Sequence, residues 1–136
     1  MLAGDNMCPV TRYFIGQGIY PEVAYFGASD FQIGWRIQAG SMELVYRYEG
    51  GELIICDFAA RRGNSGGAGA VSAFISLIHR IAREVGEVRS VRGMFRETVA
   101  SPDINRARRR LARILEAQGA KWVELEGGRW LVYAIS

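Results

Sequence analysis

One junction constrains this chain more than any other: an apolar run, Leu53 to Ala60, passes through the glycine-rich turn Arg61 to Ala70 into a segment with helical periodicity. The run LIICDFAA carries apolar residues on both faces, which suits a strand in the middle of a sheet. Beyond the turn, Val71, Phe74, Leu77, Ile78, Ile81 and Val85 recur at intervals of three and four, the spacing of a helix with one buried stripe. Gly86 stands where that helix should stop. A glycine turn that opens a helix leaves unpaired N–H groups and the positive end of the helix dipole aimed at one spot, a natural seat for an anion.

The flanks extend this unit. Before it, FQIGWRIQA alternates Ile33, Trp35 and Ile37 on one face, MELVYRYE follows the Gly40-Ser41 break, and Glu49-Gly50-Gly51-Glu52 turns the chain into the central strand. After it, EVRSVRGMF alternates Val88 and Val91 with arginines and reads as a fourth strand. Ser101 is the candidate N-cap of a second helix with Pro102 at its first position, running to about Gln118 with Gly119 as the left-handed exit. Its apolar stripe is Ile104, Ala107, Leu111, Ile114, Leu115 and Gln118, and Arg106, Arg109, Arg110 and Arg113 cover the other side. KWVELE, Gly127-Gly128 and RWLVYAIS then form a hairpin in which Trp122 and Trp130 are expected to pair. The opening thirty residues, punctuated by Pro9, Pro21 and glycines at 16, 18 and 27, suggest loop and one short strand.

The expectation is a single α+β domain over residues 1–136, with 1–30 largely irregular. Its sheet is mixed and mainly antiparallel, with two packed helices in the order βββ-α-β-α-ββ. A chain of 136 residues suits one core. No apolar run approaches the roughly eighteen residues of a membrane span. MLAGDNMCPV lacks the basic start and apolar stretch of a signal peptide, which points to the cytoplasm and to Cys8 and Cys56 as free thiols. Cys56, inside LIICDF, reads as a small buried hydrophobe. Two distant cysteines and the lone His79 do not make a four-ligand zinc site, so no metal is expected.

Charge is distributed unevenly. Residues 1–60 carry seven acids and three arginines, whereas residues 61–113 carry twelve arginines and four acids. Such a chain can steer an acidic partner, and the arginines of the second helix could also neutralise nucleic-acid phosphates, although no nucleic-acid motif surrounds them.

The segment order and ARRGNSGGAGA resemble the acetyl-CoA motif of the GNAT-type N-acetyltransferase fold, where an Arg/Gln-x-x-Gly-x-Gly/Ala turn holds a pyrophosphate. Gly63-x-x-Gly66-x-Ala68 has that spacing, with glycine at the first position and Arg62 one residue early. The resemblance implies Arg61, Arg62, Gly63, Gly66 and Ala68 as cofactor or anion contacts and acetyl-CoA as the ligand of a CoA-dependent N-acyltransferase. The alternative is a turn whose glycines let helix and sheet pack closely. Asp57, Glu97 and Tyr133 are available by type for proton transfer, while His79 falls on the polar side of its helix. No catalytic triad or paired-carboxylate spacing is present, so no catalytic residue is assigned.

As a whole the chain resembles the low-calcium-response R regulators (LcrR) of bacterial type III secretion clusters. The carriers are Gly34-Trp35-Arg36-Ile37, Arg61-Arg62-Gly63, the alanine-rich helix, Arg108-Arg109-Arg110-Leu111-Ala112, Gly119-Ala120-Lys121 and Trp130-Leu131-Val132. That resemblance implies a cytoplasmic accessory or regulatory protein of secretion that acts through protein contacts and is not an enzyme; the charge pattern separately offers Arg106, Arg109, Arg110 and Arg113 as a partner-binding face. A homodimer through an exposed edge at Phe31 to Ala39 or in the terminal hairpin is a further expectation.

Overall fold

The computed structural model describes residues 8–25, 28–60, 68–94 and 102–135. The chain is α+β. Its elements run α1 (Pro9–Gly16), β1 (Glu22–Tyr25), β2 (Gln32–Ala39), β3 (Met42–Glu49), β4 (Glu52–Ala60), α2 (Ala68–Glu84), β5 (Ser90–Gly93), α3 (Pro102–Ala117), β6 (Lys121–Leu125) and β7 (Gly128–Ala134). The strands form a seven-stranded sheet in the order β1-β2-β3-β4-β5-β7-β6. Among the described residues only β4 and β5 run parallel, and α2 supplies the crossover that a parallel pair requires. β4 is central, as its two-sided apolar sequence demands.

The expected order βββ-α-β-α-ββ holds, and an extra helix and an edge strand precede it. Where loop was anticipated, α1 forms because the same residues that punctuate loops also cap helices. Pro9 sits at the first helical turn, where its missing N–H costs nothing, and the Cys8 sulfur accepts the Thr11 N–H at 3.4 Å. At the other end Gly18 takes φ +81°, and the Ile19 N–H reaches back to the Phe14 carbonyl at 2.9 Å. Eight residues are too few for a helix to persist alone, so packing must hold it. Val10 and Phe14 are fully buried, Phe14 sets its edge against the Tyr46 ring, and the Thr11 and Tyr46 hydroxyls hydrogen-bond at 2.7 Å.

All three helices contribute to one core against one face of the sheet, with Leu44, Tyr46, Leu53, Ile55, Phe58 and Leu131 meeting Phe74, Leu77, Ile81, Leu111 and Leu115. The apolar stripe expected for α2 is buried throughout. α3 ends as its sequence indicates: Gly119 adopts φ +106° and the Ala120 N–H returns to the Leu115 carbonyl. Its proposed cap, Ser101, lies outside the described residues.

Two expectations are corrected by register. Trp122 pairs with Leu131 and Trp130 with Val123, so the tryptophans occupy opposite faces of the hairpin. A two-residue turn, here Glu126-Gly127, pairs residues an odd number apart, and these two are an even number apart. β2 is not an outer strand either, because β1 covers it from Gln32 to Arg36; the outer strands are β1 and β6. Among the described residues no helix is long and apolar enough to cross a membrane.

Candidate functional site

The parallel pairing is short. β4 and β5 pair from Glu52 to Ile55 against Ser90 to Gly93, the whole of β5, and among the described residues β4 continues to Ala60 with β3 alone. The end of the pairing coincides with a bulge. Val45 stands opposite Asp57 and Tyr46 opposite Ile55, which leaves Cys56 without a partner on β3. An inserted residue of this kind bends its strand and raises the local twist. The result is a wedge with a cavity of about 430 Å³, walled by Ile33, Ile54, Met94 and Trp130, with Arg47, Cys56, Asp57 and Arg108 as its polar groups.

The face of the sheet away from the helices carries these groups because alternation puts Val45, Arg47, Ile54, Asp57 and Arg92 there while Leu44, Tyr46, Leu53 and Ile55 face the core. β2 leans over this face at its start. The Ile33 carbonyl accepts from the Cys56 thiol at 3.6 Å although β3 lies between their strands. Gly34 makes the approach possible, since a Cβ there would overlap the Tyr46 carbonyl oxygen.

Charges on this face are paired. Arg108 reaches from α3 to Asp57 Oδ1 at 2.8 Å and to the Phe58 carbonyl at 3.3 Å. Arg92, only 4% exposed, lies 3.2 Å from Glu52, 3.5 Å from Glu126 and 4.4 Å from the centre of the Trp130 ring. Its Nε and Nη1 are within ion-pair distance of the carboxylates without hydrogen-bond alignment. Burial pushes the Cys56 thiol above its ordinary range, opposed by Arg47 and reinforced by Asp57 and Glu49. The thiol is therefore neutral near pH 7 and a poor nucleophile, and it is half-buried at the cavity wall rather than enclosed in the core.

Several residues singled out in the sequence lie elsewhere. Arg61, Arg62, Gly63 and Gly66 fall outside the described residues, as does Glu97; Ala68 opens α2, with its side chain also outside them. Asp57 is at the wedge, held by Arg108. Tyr133, opposite Val91, packs against the helix-covered core, away from the wedge. His79 is exposed, with Nε2 2.9 Å from Gln118 Oε1. Arg106, Arg109, Arg110 and Arg113 are exposed on α3 as expected. Among the described residues no cluster of three or more His, Cys, Asp or Glu could hold a metal.

Arg108 was the signal missed in the arginine cluster. It stands four residues after Ile104 and three before Leu111, on the apolar stripe, so its side chain had to turn toward the sheet. No protein-family model, curated protein or solved structure matches the chain.

Proposed function

We propose that the protein binds an acyl-CoA thioester on an acetyltransferase-like sheet, with the extended arm of the ligand entering the wedge between β4 and β5. The end of the parallel β4–β5 pairing next to the Cys56 bulge, among the described residues, supports this reading. A strand released from its neighbour exposes backbone N–H and C=O groups, and an extended amide-bearing chain can add to that edge as a strand would. The glycine-rich segment 61–67 connects the end of β4 to the start of α2. A pyrophosphate beside that helix start would meet its first N–H groups and the dipole together. Calorimetry with acetyl-CoA tests the reading: saturable heat below about millimolar ligand is expected. No heat and no thermal shift at that concentration would remove it.

The exposed arginines of α3, together with a sequence that resembles the LcrR regulators, favour a second reading: a cytoplasmic accessory or regulatory protein of type III secretion that docks an acidic partner. Affinity capture from a secreting cell should recover a secretion component, and glutamate at positions 106, 109, 110 and 113 should abolish the capture. Secretion unchanged in a deletion strain, with nothing captured, defeats it.

A further inference from the structure

We infer that the wedge takes a ligand ending in a carboxylate, which Arg47 reads. Register places this cation on the wedge wall. Arg47 stands opposite Ile54, on the sheet face away from the helices, and both residues line the cavity. Its guanidinium acts on the Cys56 thiol by charge and by hydrogen bond, and Cys56 is the bulged residue of the same wall.

The charges of the wedge are not equally held. Arg108 is committed to Asp57 Oδ1 at 2.8 Å and to the Phe58 carbonyl at 3.3 Å, and Asp57 is committed in return. Arg47 is held less well. Its Nε is buried and lies 2.8 Å from Glu49 Oε2 without the alignment of a hydrogen bond. A buried N–H in that condition carries a cost that an entering acceptor removes. Glu49 is 59% exposed and outside the lining, so its carboxylate can turn to water when a ligand arrives. Arg36 and Arg92 show the same misalignment, but neither lines the wedge.

The lining sets the rest of the ligand. Ile33, Ile54, Met94 and Trp130 surround about 430 Å³ with apolar and aromatic surface, in the size range of small-molecule sites. Among the described residues one exchangeable cation faces this space, and it answers one negative charge. A carboxylate on a short apolar body matches it, where a dianionic phosphate would leave charge unpaired. That carboxylate can belong to a free acid or to the far end of an acyl-CoA, as in a succinyl group. Only the second source rests on the acyl-CoA reading.

Two pairs of ligands separate the sources: phenylacetate against phenylacetamide, and succinyl-CoA against butyryl-CoA, which has the same acyl length without the second carboxylate. Each is titrated into the intact chain by calorimetry, with the NMR shift of the Trp130 indole locating it at the wedge. In at least one pair the acid should bind about tenfold or more tightly than its neutral mate, the worth of one charge-assisted contact. Glu49→Gln removes the competing carboxylate and should tighten that acid several-fold, whereas Arg47→Met should erase its advantage. Glu49 is exposed, so its variant decides even if the arginine variant fails to fold. A preference for phenylacetate with both CoA esters silent upholds the inference and removes the acyl-CoA reading. Equal affinity within both pairs, or unchanged affinity in Glu49→Gln, overturns the inference, and butyryl-CoA binding in that case leaves the acyl-CoA reading standing. Silence from all four, to about 10 mM for the free ligands, overturns both.

Discussion

Toward the helices the sheet presents Leu44, Tyr46, Leu53, Ile55, Phe58 and Leu131; its other face carries Arg47, Asp57 and Arg92 among Val45, Ile54 and Trp130. The first set is sealed by α1, α2 and α3. The second is paired charge by charge, Arg36 with Glu43, Arg47 with Glu49, Arg92 with Glu52 and Glu126, and Arg108 with Asp57. Burying a cation as fully as Arg92 carries a desolvation cost that its partners only offset, so stability is a weak reason for its presence there. The wedge beside β4 also opens onto groups of this charged side. The contrast separates a face that holds the fold from a face available for binding.

The largest expected effect lies on the helix side. Phe74 is fully buried with its ring edge against Phe58, centroids 5.4 Å apart. Phe74→Ala should lower unfolding stability by about 3–5 kcal/mol in urea titration, the usual cost of deleting a buried aromatic ring. A loss below about 1 kcal/mol would mean that this face does not carry the fold.

Tyr46 sharpens the contrast through pH. Burial raises its hydroxyl pKa well above the ordinary value of 10.0, against the opposing hydrogen bond to Thr11. The sign follows directly. Below pH 10 the tyrosine is neutral in both states; above it the unfolded chain ionises first, so folding stability falls as pH rises, by up to about 1.4 kcal/mol per unit. Tyr46→Phe loses the Thr11 hydrogen bond and should be about 1 kcal/mol less stable at neutral pH. It escapes the alkaline penalty, so the two stability curves should cross near about pH 11. Parallel curves through that range would show that the hydroxyl is not sealed.

On the charged side, Arg92→Met should change stability by no more than about 1 kcal/mol, because the methionine stem still covers Trp130 while the buried charge disappears. Glu52 and Glu126, more exposed than Arg92, can turn to water. A loss as large as that of Phe74→Ala would erase the distinction between the faces.

Much of the helix side was legible in the sequence, because period-two and period-3.6 patterns report directly on which residues face a core. α1 was hidden by its own caps: Pro9, Gly16 and Gly18 look the same in a loop and at helix ends. The tryptophan mismatch was readable from the odd-separation rule of a two-residue turn, and Arg108 from its place on the apolar stripe of α3. The wedge was not readable. Its bulge at Cys56 is a shift in the pairing of β4 with β3, and long-range register leaves no local mark in LIICDF. The limited β2–β3 pairing was equally silent, since nothing around Gly34 announces that the two strands pair along only five of their eight residues.

The smallest expected effect tests the arginines that neither face uses. Arg110 and Arg113 are exposed on α3, two and five residues past the inward-facing Arg108 and therefore on another side of the helix. Alanine keeps or improves helix propensity at both positions, and no buried group is uncovered, so the double variant should melt within about 0.5 kcal/mol of the parent. Retained stability with lost capture of an acidic partner would assign these side chains to docking. A stability loss of about 2 kcal/mol would instead show that the basic surface of α3 is held by the fold, and the line between holding and binding would have to be redrawn through the helix itself.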